Sequence, residues 1–128
     1  MKNTVIFQSF FDHLHSSGLG YPIAWPDVDF TPPATGVWLE VLLFPNQPID
    51  PTLSDSRVIP RGFFQVMACA RKGEGVLPVT AAAESVMDAF PKLSGISGLL
   101  RVYRQPYLME PMYEDNRTTV PVTIPYST

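Results

Sequence analysis

The residues of this chain whose types could do chemistry are few: His13 and His15, Cys69, the glycine pairs Gly18-x-Gly20 and Gly73-x-Gly75, and the triplet Asn116-Arg117-Thr118. Two histidines could share a metal ion, but on a helix they must stand three or four residues apart to lie on one face. His13 and His15 are neighbours but one, so they point to different faces and read as surface polar residues. Asp12 and Ser16 beside them are an ordinary helix-surface pair. A nucleophilic thiol needs exposure and an activating partner. Cys69 instead lies mid-strand among apolar residues and reads as a small packing side chain. Glycine loops that cradle phosphate join a strand to a helix in a fixed pattern. Gly18-x-Gly20 follows a helix, and Gly73-x-Gly75 lacks the third glycine and the phosphate-binding lysine, so both read as turns. The Asn116 triplet fits a glycosylation acceptor and reads as a loop tip. Met109, Met112 and Tyr113 could touch a partner or pack beneath their own loop. Nothing clusters Asp, Glu, His or Cys at a spacing that builds a catalytic centre. The sequence therefore predicts no enzyme, no cofactor and no metal.

Composition points the same way. A chain of 128 residues fits one domain spanning 1–128, large enough to bury a core without staples. Hydrophobic residues make up 45% and charged residues only 16%, so the chain is short of the side chains that solvate a surface. Some of that surface is predicted to be covered by something else. The net charge of −3 and the scatter of nine basic residues argue against a grip on nucleic-acid backbones, which needs many Lys and Arg contacts. A single cysteine excludes an internal disulfide and suits a reducing compartment. No run is long enough to span a membrane, and the first residues lead into an amphipathic segment, so a protein made in the cytoplasm is expected.

The elements that must position these residues follow from periodicity. Phe7, Phe10, Phe11 and Leu14 predict a helix over 4–17, with Asn3 as its cap and Gly18 as its stop. Prolines 22, 26, 32 and 33 keep 18–35 irregular apart from a short edge strand at 22–26. Strands are expected over 36–44 and 62–71, separated by a loop over 45–61 that holds four prolines. Pro78 suits the first turn of a second helix over 78–90, whose stripe runs from Val79 to Phe90 and stops at Pro91. Two more strands are expected, over 99–105 and 118–126, the latter demoted to a sheet edge by Pro121 and Pro125. The order α-β-β-α-β-β predicts an α+β fold: a two-layer domain with a mainly antiparallel four-stranded sheet and both helices on one face.

One mismatch in this scheme carries functional weight. In 37–44, three of the four residues on the Glu40 face (Trp38, Leu42 and Phe44) are large and apolar, and in 62–71 both faces are largely apolar. Each such side chain gains roughly 1.5–3 kcal/mol on full burial. Two short helices can cover one face only, so the surplus predicts either self-association or a cover made by the proline-rich segment 18–35.

The order of pieces resembles the tail terminators of long-tailed phages, in a branch first catalogued as a phage-related domain of unknown function. The likeness runs through Ile23-Ala24-Trp25-Pro26 with Phe30-x-Pro32, then Val37-Trp38-Leu39-Glu40-Val41, then Arg61-Gly62-Phe63-Phe64-Gln65-Val66. It continues with Met87-Asp88-Ala89-Phe90 and the closing 120–126 stretch. The Trp-Pro piece followed by the Arg-Gly-x-x-Gln-Val strand is the most telling pair.

The resemblance implies a structural protein of the virion, placed at the head-proximal end of the tail and assembled in the bacterial cytoplasm. It implies a homo-oligomer in the form of a hexameric ring that binds the major tail tube protein, stops its polymerisation, and presents a surface to the head-tail connector. No cofactor, membrane or sequence-specific nucleic acid is involved. Under this reading Asp50, Asp55, Arg57 and Arg61 are the charged candidates for register between subunits, and Trp38 and Phe63 are candidate subunit-facing anchors. The competing readings are another head-tail joining or minor tail protein of similar fold and, from a different class, a small ligand-binding module or enzyme, which would need a pocket with convergent polar groups.

Overall fold

The computed structural model describes residues 2–46 and 59–128. Helix α1 (Asn3–Ser16) leads to a two-residue strand β1 (Ile23–Ala24), then β2 (Trp38–Pro45) and β3 (Arg61–Arg71). Helix α2 (Val76–Ala89) follows, then short strands β4 (Gly95–Ser97), β5 (Leu100–Val102), β6 (Tyr107–Leu108) and β7 (Met112–Tyr113), and the long closing strand β8 (Arg117–Ser127).

The α+β reading holds, but the sheet differs from the one expected. It is mixed and eight-stranded, ordered β1-β2-β3-β8-β5-β4, with β6 and β7 also on β8. Two causes are visible. The segment before Trp25 runs parallel to β2, Ile23 beside Leu39 and Ala24 beside Glu40, which adds a parallel pair. The strand expected over 99–105 survives only as β5; after it Pro106 and Pro111 interrupt the chain, so the far side of β8 is paired in pieces by β5, β6 and β7.

Strand β8 is also central and not an edge. It pairs with β3 along its full length, from Arg71 opposite Arg117 to Arg61 opposite Ser127. Its prolines are tolerated because of their parity. The carbonyl of Pro121 accepts from the Met109 amide at 2.8 Å, so Pro121 addresses the β6–β7 side. Pro125 shares that parity. The missing donors therefore fall where the partner strand is already broken, and the ladder to β3 stays whole.

Both helices lie on one face. Ile6, Phe10 and Leu14 of α1 and Val79, Ala82, Ala83 and Val86 of α2 are buried against Leu39, Val41, Phe64, Val66, Val122 and Ile124. At the centre is a column of rings: Phe90 on Phe10 (5.0 Å between centroids), Phe10 on Phe64 (3.7 Å), and Phe64 on Tyr126 (4.5 Å). It joins the end of α2 to α1, β3 and β8. The cap expected at Asn3 is not formed: Lys2 takes the cap position, without a side-chain bond, and Asn3 is already helical. Gly18 does stop α1, at φ +67°, in the left-handed region that glycine enters freely.

The Phe90 ring is fully buried. Phe90→Ala is expected to cost about 3–5 kcal/mol, because it leaves a cavity at the end of the column. Urea unfolding of the two proteins measures this, and an unchanged midpoint would contradict the packing.

Candidate functional site

The site is a surface, the face of the sheet turned away from the helices. Alternation fixes its members. In β2 they are Trp38, Glu40, Leu42 and Phe44; in β3, Arg61, Phe63, Gln65, Met67, Cys69 and Arg71; in β8, Arg117, Thr119, Pro121, Thr123, Pro125 and Ser127. Register arranges them in rows across the strands: Trp38–Cys69–Thr119, Glu40–Met67–Pro121, Leu42–Gln65–Thr123 and Phe44–Phe63–Pro125.

One half of this face is sealed by the chain itself. Arg71 lies over the Trp38 ring, 5.6 Å from its centroid, and donates to the carbonyls of Pro33 (3.2 Å) and Pro32 (3.4 Å). The proline-rich segment is thereby held across the end of the sheet. Beneath it the Trp38 indole N–H donates to Glu40 Oε2 at 3.1 Å, and Arg117 Nη1 donates to the same oxygen at 2.7 Å. Glu74 closes the corner by accepting from the Gly36 and Arg71 amides.

The other half is open. Leu42 and Phe44 are each 39% exposed, although both belong to a sheet face. Phe44 stacks on half-buried Phe63, 4.7 Å between centroids and 16° from parallel. The strand-end geometry beneath them depends on Gly62. A Cβ there would meet the Phe44 carbonyl at 2.5 Å, Pro45 Cα at 2.9 Å and the Tyr126 hydroxyl at 2.9 Å. Two of these are backbone atoms that cannot swing away, so glycine is the residue that lets β2 close on β3 here. Beyond the aromatic row, Arg61, Ser127 and Arg101 form a further row. With Arg104 they line an open cleft of about 440 Å³.

The predicted site residues separate accordingly. Asp50, Asp55 and Arg57 lie outside the described residues. Arg61 and Phe63 come together at the open end. Trp38 is 1% exposed and packs within its own chain, so it offers no surface to a neighbour in this structure. The aromatic pair on show is Phe44 with Phe63. Phe44 was identifiable by parity, but nothing in the sequence says which end the proline-rich segment covers. The Arg61–Arg101–Arg104 grouping was invisible, since β8 alone joins those distant positions. His13 also does more than decorate α1. Its Nε2–H donates to the Ala89 carbonyl at 2.7 Å and its ring lies 4.6 Å from Phe90, tying the ends of the two helices together. Among the described residues no three of His, Cys, Asp and Glu are placed to hold a metal ion.

The family model described as "Phage tail terminator protein" matches residues 6–126. A solved structure superposes on this chain with a TM-score of 0.75 at 28% sequence identity, covering 99% of this chain and 95% of that one. No curated protein matches.

Cys69 sits at the sealed end, fully buried, with the Thr119 hydroxyl donating to its sulfur at 3.7 Å. Burial pushes its thiol up from 9.0 to about 11, against a smaller opposing effect of the Thr119 bond. Two outcomes are expected. The native thiol stays inert to a disulfide reagent at mildly alkaline pH and reacts on unfolding. The folded chain also keeps its proton between pH 9 and 11 while the unfolded chain loses it, so this contribution to stability is full below pH 9 and is lost across that window. The decline should be shallower in Cys69→Ala, as measured by urea unfolding at each pH; rapid native labelling would show that the sealed end is open.

Proposed function

This chain belongs to the phage tail terminator family, whose members are structural components of the virion tail, and from that premise we propose that it closes the head-proximal end of the tail tube as a ring of identical copies. The observation that carries this reading is the half-open sheet face, where an exposed Phe44–Phe63 stack and Leu42 stand beside Arg61. Large apolar side chains in a contiguous strip with a charged rim suit contact with protein, with the aromatics as anchors and the charge as a guide to register.

The mechanism needs no chemistry. Copies associate head to tail, each using one surface to hold its predecessor and a different one to hold its successor, and the rotation closes on itself as a hexamer. One rim of the ring complements the last ring of tail tube protein. The opposite rim does not repeat that surface, so no further tube subunit adds, and the rim is left for the head-tail connector. Arg61, with Asp50, Asp55 and Arg57 of the preceding segment, supplies charges that fix register between copies. A net charge of −3 disfavours adhesion to DNA moving through the ring.

Electron microscopy of particles made without this protein is the test. Tubes of uncontrolled length and heads without tails are expected. Tails of normal length beside unjoined heads would instead assign the chain to the head-tail joint and overturn the terminator reading.

A further inference from the structure

A head-to-tail ring requires two different patches on every copy, and the two margins of this sheet supply them. The first lies along β2. Its partner β1 reaches only Leu39 and Glu40, so among the described residues the backbone of 42–44 has β3 on one side and no strand on the other. Leu42 and Phe44 stand on the outer face of the sheet beside that edge, and Arg61 stands at the end of the neighbouring strand. Arg61 has no carboxylate partner among the described residues, where both ion pairs belong to Arg117.

The second patch lies on the opposite margin, over 107–115. Among the described residues, strands β6 and β7 pair with β8 and with nothing beyond it. Tyr107 is 51% exposed, Met112 41% and Tyr113 71%. Glu110, Glu114 and Asp115 are exposed among them, and no Lys or Arg occurs between Arg104 and Arg117. Of the eleven large apolar side chains exposed among the described residues, six fall on these two margins.

We propose that the two margins are the halves of a single copy-to-copy seam: the acidic, apolar strip 107–115 of one copy docks along the open edge of β2 in the next, its carboxylates facing Arg61. Each side brings what the other lacks. One is cationic and the other anionic, both carry aromatic and apolar side chains, and among the described residues both have strand backbone without a partner on the outer side that can hydrogen-bond across the contact. The seam rests on the ring reading and adds the residues that make it.

A charge swap tests it with the full chain. Arg61→Glu makes both margins acidic; Glu110→Arg with Asp115→Arg makes both basic. Sedimentation at low salt and concentrations up to the millimolar range is expected to show self-association of the unaltered protein and at least about tenfold weaker association of each variant alone. An equimolar mixture of the two variants should assemble again, because each then offers the other a complementary margin. Circular dichroism confirms that both are folded. Phe44→Ser should weaken association at every salt concentration, whereas the charge effects fade as salt rises. An unaltered protein that stays monomeric throughout, variants that associate normally, or a mixture that fails to assemble would each overturn the seam. Loss of oligonucleotide binding in Arg61→Glu with self-association intact would assign the arginine to nucleic acid and overturn it as well. Failure of the terminator reading looks different: the seam would form and respond to the swap, while tails made without the protein kept their normal length.

Discussion

The column Phe90–Phe10–Phe64–Tyr126 is the contact on which the rest of the molecule depends. Four aromatic rings from four elements bury one another, and each neighbouring pair adds about 0.5–1.5 kcal/mol beyond area burial. The consequence is directional. Because Phe64 and Tyr126 face the helices, alternation turns Phe63 and Pro125 to the opposite side. A slip of one residue in either strand would trade the core for the outer surface. The same constraint that builds the core therefore sets which residues are available for contact with other molecules.

What becomes of the outer face is decided by the reach of one segment. The proline-rich stretch before β2 is held to Arg71 by two carbonyl contacts, beside the Trp38 ring that Arg71 covers. At the Phe44–Phe63 end Leu42 and Phe44 stay exposed. The second face of the sheet is thus half sheltered, with large apolar side chains exposed at one end. The paired Glu40 and Arg117 and the buried Cys69 belong to the sheltered half; Leu42, Phe44, Phe63 and Arg61 belong to the open half.

The broken far strand has a comparable logic. Pro121 and Pro125 would spoil a continuous ladder on both sides of β8, but their parity confines the loss to one. That side is occupied by fragments, and the fragments carry the exposed tyrosines, methionines and carboxylates of 107–115. An irregular margin of this kind resists indiscriminate edge-to-edge pairing.

The sequence by itself determined the α+β class, both helices, strands β2, β3 and most of β8, and the packing role of Cys69, because local periodicity and turn chemistry settle such matters within a few residues of chain; the likeness to tail terminators rested on resemblance of motifs in their order along the chain. It also showed that the strands hold more apolar surface than two helices can cover. Tertiary structure decided the rest. The central place of β8 depended on which side its prolines addressed, which periodicity cannot specify. Trp38 proved to be sealed and Phe44 open because Arg71, remote in sequence, lies over the Trp38 ring and holds the segment before β2 at that end. Arg61 and Arg101 became neighbours only through Ser127, and His13 found the Ala89 carbonyl only once α1 and α2 lay side by side. Each of these outcomes is a contact between positions remote in sequence, and contacts of that kind leave no trace in the spacing of residues along the chain.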